Sequence, residues 1–135
     1  MKNLSKALAD TIMKRHPDPL TIPYKSWCYV HGYVLAGFEK LHAATGDKRY
    51  FDYIRKCVDA HVTAAGDLPA FTGESLDDMV AATAIVAGFQ RTGDARYRTA
   101  AQRVRRSFDD YPRNADGGFW HARNHRHIFF PACGK

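Results

Sequence analysis

Apolar residues recur at helical spacing along most of the chain, and no segment sustains the alternation of a strand, so the pattern predicts an all-α protein of about five helices. Leu4, Leu8, Ile12 and Met13, set among Lys and Asp, make an amphipathic first helix within Met1 to His16. Three prolines between Pro17 and Pro23 predict an extended link. A second helix follows from about Ser26, its expected cap, to Ala44, and a third runs from about Asp47 to Ala64. Tyr50, Tyr53, Ile54, Cys57, Val58 and His61 share one buried stripe of that third helix. Beyond a loop through Pro69 and Gly73, a fourth helix spans about Ser75 to Gln90 and a fifth about Ala95 to Asp110. The fifth turns Val104 and Phe108 inward and Arg103 and Arg106 outward; past Pro112 the helical pattern stops.

The connections repeat. Thr45-Gly46-Asp47-Lys48-Arg49-Tyr50 returns as Thr92-Gly93-Asp94-Ala95-Arg96-Tyr97, displaced by 47 positions. Each copy separates two apolar helical runs, so Gly supplies a left-handed C′ residue and Asp caps the next helix. A stack of helical hairpins results. Ala and Gly over positions 34–37 and 81–88 are expected on packed faces, where small side chains let helices approach closely. A period near 47 suits both HEAT-like arrays and double-layered helical barrels.

Composition narrows the class without naming a function. The 135 residues are one domain or part of one, and 45% hydrophobic with 25% charged residues is ordinary for a soluble globular protein. No apolar run has the length of a membrane span, and the N-terminus lacks the continuous apolar stretch of a signal peptide. Cys28, Cys57 and Cys133 are odd in number and without metal-type spacing, which predicts a reduced, cytoplasmic protein with two buried thiols. The net charge of +6, with Arg103, Arg105, Arg106, Arg113, Arg123 and Arg126 in the C-terminal third, raises a nucleic-acid partner. No helix-turn-helix or RNA-binding motif accompanies these residues, so they are read as a solvated face with no nucleic-acid role. His121, His125 and His127 invite a metal, but no adjacent Cys, Asp or Glu completes a site and Arg123 and Arg126 oppose a dication; no metal is expected.

The motifs that choose among helical arrays are Trp27-Cys28-Tyr29, Ser75-Leu76-Asp77-Asp78 and Tyr111-Pro112-Arg113-Asn114-Ala115-Asp116-Gly117-Gly118-Phe119-Trp120-His121. Taken in order with the two Thr-Gly-Asp turns, they resemble the unsaturated rhamnogalacturonyl hydrolases and unsaturated glucuronyl hydrolases of glycoside hydrolase families 105 and 88, the rhamnogalacturonyl branch most. The resemblance implies a six-hairpin (α/α)6 barrel, of which residues 1–135 form a single partial domain, the opening helices on one side of a substrate cavity. It implies a partner, an oligosaccharide carrying a 4,5-unsaturated uronic acid left by a polysaccharide lyase, and no metal or organic cofactor. In such enzymes an aspartate protonates the vinyl ether, water adds, and the hemiketal collapses. Bottom-up, that chemistry needs one partly protonated carboxyl group and a second group to orient water.

By the resemblance, Asp77 matches one of two active-site aspartates, and Trp120 and His121 match residues near the sugar. From the residues alone, Asp77 and Asp78 are equally two carboxylates favoured in the first turn of a helix. Tyr29 and Trp27 line the same cavity or pack a helix start; an indole or phenol face suits a pyranose ring in either case. The chain departs from the pattern where the family's second aspartate, the proton donor, belongs: the spacing puts Ala132 or Cys133 there, at the end of a divergent tail over 122–135. The expectation is an inactive N-terminal portion, truncated or frameshifted, that self-associates through apolar helix faces and through Ile128, Phe129 and Phe130. The alternative is a non-catalytic helical-repeat module that binds an acidic oligosaccharide or a protein.

Overall fold

A computed structural model describes residues 4–24 and 27–128. Helix α1 (Leu4–Arg15) leads through a 3-10 turn (Pro19–Thr21) to α2 (Tyr29–Thr45) and α3 (Lys48–His61). Then come α4 (Leu76–Met79), α5 (Ala82–Thr92) and α6 (Ala95–Arg106), and finally the strands β1 (Trp120–Ala122) and β2 (His125–Ile128). Two helical hairpins, α2–α3 and α5–α6, pack side by side, α5 touching both helices of the first.

The repeated turn builds both hairpins the same way. Gly46 and Gly93 adopt φ of 70° and 69°, the left-handed region where a side chain is disfavoured. Asp47 accepts the Arg49 backbone N–H at 3.0 Å, and Asp94 accepts that of Arg96 at 2.9 Å. Each arginine also folds its guanidinium back onto the same aspartate, at 2.7 and 2.8 Å. These side-chain hydrogen bonds hold both carboxyls below the ordinary aspartate range. One residue on, Tyr50 and Tyr97 are buried, as the pattern predicts. The Tyr97 hydroxyl donates to Asp59 of α3 at 2.6 Å and so ties the second hairpin to the first.

The core forms where the expected stripe of α3 meets α2 and α5. Tyr53, Ile54, Cys57, Val58 and His61 are buried with Leu35, Phe38 and Ile85, and Phe38 stacks on Tyr53 at 4.8 Å. Cys28 and Cys57 are both buried thiols, as expected. Burial pushes the Cys57 thiol up to about 12 and the Tyr53 phenol likewise to about 12. Val104 is buried and Phe108 packs against the core, the orientation predicted for the last helix.

Several expectations are corrected. The fourth helix is not continuous: it ends at Met79 and restarts at Ala82, with Thr83 and Ala84 bonded to the carbonyls of Val80 and Ala81 in i to i+3 fashion. The reason is close packing, since a Cβ at Gly32 of α2 would lie 2.7 Å from the Val80 carbonyl carbon and 2.8 Å from the Ala81 nitrogen. Secondly, Gly37, expected on a packed face, has nothing within 4 Å of its Cβ position; Gly32 and Gly88 are the close-contact glycines of α2 and α5, Gly88 against the Tyr97 ring. Thirdly, the helical pattern stops past Pro112 as expected, but strands that were not expected follow it: Trp120 pairs with Ile128 and Ala122 with His125 in an antiparallel hairpin too short to show a period. Lastly, the proline link contains a turn that Asp18 caps by accepting the Leu20 N–H at 3.1 Å. Ser26 is not the cap of α2, which begins at Tyr29 after Cys28 in extended conformation; Ser26 itself and the apolar residues Phe129 and Phe130 lie outside the described residues. Among the described residues no helix is long and apolar enough to cross a membrane.

Candidate functional site

Asp77 sits in the first turn of α4, whose start is set by Ser75: extended at φ −139°, its hydroxyl accepts the Asp77 N–H at 3.1 Å. The polar hairpin strand β1 lies against this turn through a bridge between Ser75 and Ala122. That docking carries His121 to Asp77, with Nε2 to Oδ1 at 3.4 Å and each side chain about one-third exposed (34% and 31%). The backbone of His121 is fixed as well, because its carbonyl accepts the Tyr111 hydroxyl at 3.2 Å and faces the Ser75 hydroxyl at 3.5 Å.

Two clefts open beside Asp77, which lines both. One, of about 320 Å³, is bounded by Tyr24, Trp27, Thr72, Glu74 and Asp78. The other, of about 290 Å³, is bounded by Tyr29, Tyr33, Leu76 and Val80. A larger groove, about 460 Å³ between α1 and α2, is apolar and has no carboxylate on its walls. Size therefore does not mark the site; the pairing of an acid, an imidazole and aromatic walls does.

Neighbouring acids have separate partners. Asp78 takes the Thr72 hydroxyl at 2.5 Å through its carboxylate and the Trp27 indole N–H at 2.9 Å through its carbonyl. Trp27 is 4% exposed and lies 5.1 Å from the His61 ring, so it forms the floor of the first cleft. Tyr29 stands edge-on to Tyr24 at 5.9 Å and to Tyr33 at 6.4 Å. Its phenol is held above the ordinary value by Tyr24 first, then by burial and by the Asp77 carboxylate. Of the five residues singled out from the sequence, Asp77, His121, Trp27 and Tyr29 therefore come together. Trp120 does not join them: it is half-buried in β1, its backbone N–H donating to the Pro112 carbonyl at 3.0 Å, and it lines neither cleft.

Three residues at the site escaped sequence reasoning. Tyr24 has φ of 94°, a conformation that is costly for a non-glycine residue and that turns an exposed phenol into the first cleft. Tyr33 is 62% exposed on α2, one turn beyond Tyr29. Arg123, read as part of a basic tail, is instead bonded to Gly73, Ser107 and Asp110. Arg113 likewise stacks on Phe119 at 3.6 Å and donates to the Gly117 carbonyl. Exposed His125 contacts Asn124, and the side chain of His127 lies outside the described residues. Among the described residues no cluster of three His, Cys, Asp or Glu is arranged to hold a metal ion.

Comparison with known proteins follows the same outline. The family model for Glycosyl Hydrolase Family 88 matches residues 4–129. A solved glycoside hydrolase of family 105 from C. acetobutylicum ATCC 824 superimposes with a TM-score of 0.83 at 28% sequence identity, over 93% of this chain and 34% of the other. The chain thus spans about a third of that relative's length.

Proposed function

The chain belongs to Glycosyl Hydrolase Family 88, and from that premise we propose that it forms the opening helices of an (α/α)6 barrel that acts on lyase-generated rhamnogalacturonan oligosaccharides. The reaction is removal of the terminal 4,5-unsaturated uronic acid by hydration of its vinyl ether. A proton goes to one alkene carbon, and water, giving up a proton in turn, places its hydroxyl on the other, which carries the ring oxygen; the resulting hemiketal opens to a ketone, and the hemiacetal left at the anomeric carbon collapses to an aldehyde and releases the remaining sugar. The observation that carries this reading is the Asp77–His121 pair at 3.4 Å between clefts walled by tyrosine and tryptophan.

In this reading Asp77 orients water over the alkene, and the His121 imidazole hydrogen-bonds the sugar or its carboxylate. Tyr29 and Tyr24 pack against the pyranose face, on the floor formed by Trp27. The second carboxylic acid that the chemistry needs is not among these groups. Asp78 is committed to Thr72 and Trp27, and Ala132, at the position spaced for the donor, lies outside the described residues. These 135 residues on their own therefore bind the unsaturated uronate without turning it over. Leu4 and Leu8 of α1, 81% and 62% exposed, and Val86 of α5 give the isolated chain apolar faces through which it self-associates. Two buried thiols fit a reducing, cytoplasmic setting.

Calorimetric titration with an unsaturated rhamnogalacturonan disaccharide, run beside a recording of its ultraviolet absorbance, tests the proposal. Binding that Asp77→Asn weakens about tenfold or more, with stable absorbance, is the expected outcome. Absence of binding to the unmutated chain would refute the ligand, and falling absorbance would refute the non-catalytic role of the isolated chain.

A further inference from the structure

We propose that Arg123 is a positioning residue: seated over Tyr111, it latches the β1–β2 turn to the Gly73–Asp77 loop and thereby holds His121 against Asp77. The inference rests on the reading of Asp77 and His121 as the site. Its basis is a single side chain joining three separate segments. Nε donates to the Gly73 carbonyl at 3.1 Å; Nη2 donates to the Ser107 carbonyl at 3.2 Å and to Asp110 Oδ1 at 2.9 Å. The backbone N–H of Arg123 donates to the Glu74 carbonyl at 2.9 Å, two residues along the chain from His121 on one side and three from Asp77 on the other.

Tyr111 completes the latch from below. Its ring lies 5.0 Å from the guanidinium carbon, and its hydroxyl reaches the His121 carbonyl at 3.2 Å and the Glu74 carbonyl at 3.4 Å. Cation–π attraction to the ring would be open to a lysine as well, but the planar five-donor fork that reaches both carbonyls from above that ring is arginine's alone, so the geometry calls for this residue type. Ser107 closes α6, and its carbonyl is one of the groups a helix end leaves without an intrahelical partner. The Asp110 ion pair, by contrast, is at the rim: the Asp110 side chain is 79% exposed, where an ion pair adds little. The carbonyl contacts and the stacked ring are therefore the positioning elements.

The test is a coupling measurement on the full 135-residue chain that needs no turnover. The side-chain 15N and 1H resonances of His121 are followed by NMR, with and without Asp77→Asn. With Arg123 present, Asp77→Asn is expected to move them clearly; in an Arg123→Met background the same substitution should move them by less than a third as much. Asp110→Asn should leave the coupling as it was. Full coupling in Arg123→Met, or its loss in Asp110→Asn, would overturn the proposal. Should Arg123→Met lower the far-ultraviolet helical signal, Arg123→Lys carries the test under the same criteria, because it keeps the charge and the aliphatic stem and removes the fork that reaches the Gly73 and Ser107 carbonyls. Titration with the unsaturated disaccharide separates the two readings. Absent binding with coupling that Arg123→Met removes refutes the ligand and leaves the latch standing; binding with coupling indifferent to Arg123→Met does the reverse.

Discussion

Gly32 and Gly37 lie five residues apart on α2, yet adding one methyl group to each should have opposite effects. At Gly32 a Cβ would stand 2.7 Å from the carbonyl carbon and from Cγ1 of Val80, and 2.8 Å from the Ala81 nitrogen. Two of those three atoms are backbone, so no rotamer change relieves the clash and α2 must move away from the α4–α5 junction. Overpacking of this kind costs about 1–3 kcal/mol, against about 1 kcal/mol that alanine gains over glycine as a helix former. Because the clash is with backbone, the upper part of that range applies, about 2–3 kcal/mol, and the net is a loss of about 1–2 kcal/mol. At Gly37 nothing lies within 4 Å, so only the helix-forming term acts and the chain gains about 0.5–1 kcal/mol. Urea unfolding followed by circular dichroism measures both. With a slope of about 1–3 kcal/mol per molar, the Gly32→Ala midpoint should fall by roughly 0.5–1 M while that of Gly37→Ala rises by a few tenths. Equal midpoints, or a Gly32→Ala protein as stable as the unmutated chain, would refute the claim that the close approach of α2 sets the break after Met79.

The twin tyrosines should also differ, since the Tyr97 hydroxyl bonds Asp59 whereas the buried Tyr50 hydroxyl has no hydrogen-bond partner. Tyr97→Phe is expected to cost about 0.5–1.5 kcal/mol in urea unfolding, and Tyr50→Phe to be neutral or slightly stabilising. His31 is 1% exposed, and burial first, with His61 adding to it, holds its imidazole below the ordinary value. The unfolded chain then binds a proton that the folded chain refuses, so stability falls as pH drops through about 6.5. His31→Gln should flatten that fall between pH 7 and 5 in unfolding midpoints taken across pH, and an unchanged slope would remove His31 as its source. Leu8→Lys should reduce concentration-dependent association in sedimentation velocity, because it charges an apolar face of α1; unchanged association would place the contact elsewhere.

Legibility followed the locality of the physics. The Gly-Asp turns read true because every interaction that makes them lies within about six residues, from the left-handed glycine to the capping aspartate. The α3 stripe read true because one face of one helix decides it. The break at Val80 and Ala81 did not, since its cause is a glycine about fifty residues upstream whose lack of a side chain is visible only once the helices touch. At the candidate site, the sequence singled out Asp77, His121, Tyr29, Trp27 and Trp120, of which the first four stand together and Trp120 does not, while helix-dipole reasoning alone could not separate Asp77 from Asp78. The structure separates them by partner, imidazole for one and threonine hydroxyl for the other. Tyr24 and Arg123 had no signal, because a strained φ and a fork aimed at two carbonyls and a carboxylate leave no pattern in neighbouring residues.

The latch has a kinetic consequence. Hairpins α2–α3 and α5–α6 close over turns of two residues, but the bond from Arg123 to Gly73 spans 50 positions and that from Ser75 to His121 spans 46. Contacts of short separation form early and distant ones late, since chain closure must precede them. Refolding should therefore recover helical ellipticity before it recovers Asp77 beside His121. In the native state the same asymmetry makes the β1–β2 turn the first unit to open: hydrogen exchange at the Arg123 amide should outpace that at Tyr50 or Tyr97, so ligand affinity would fade on warming before the helices melt.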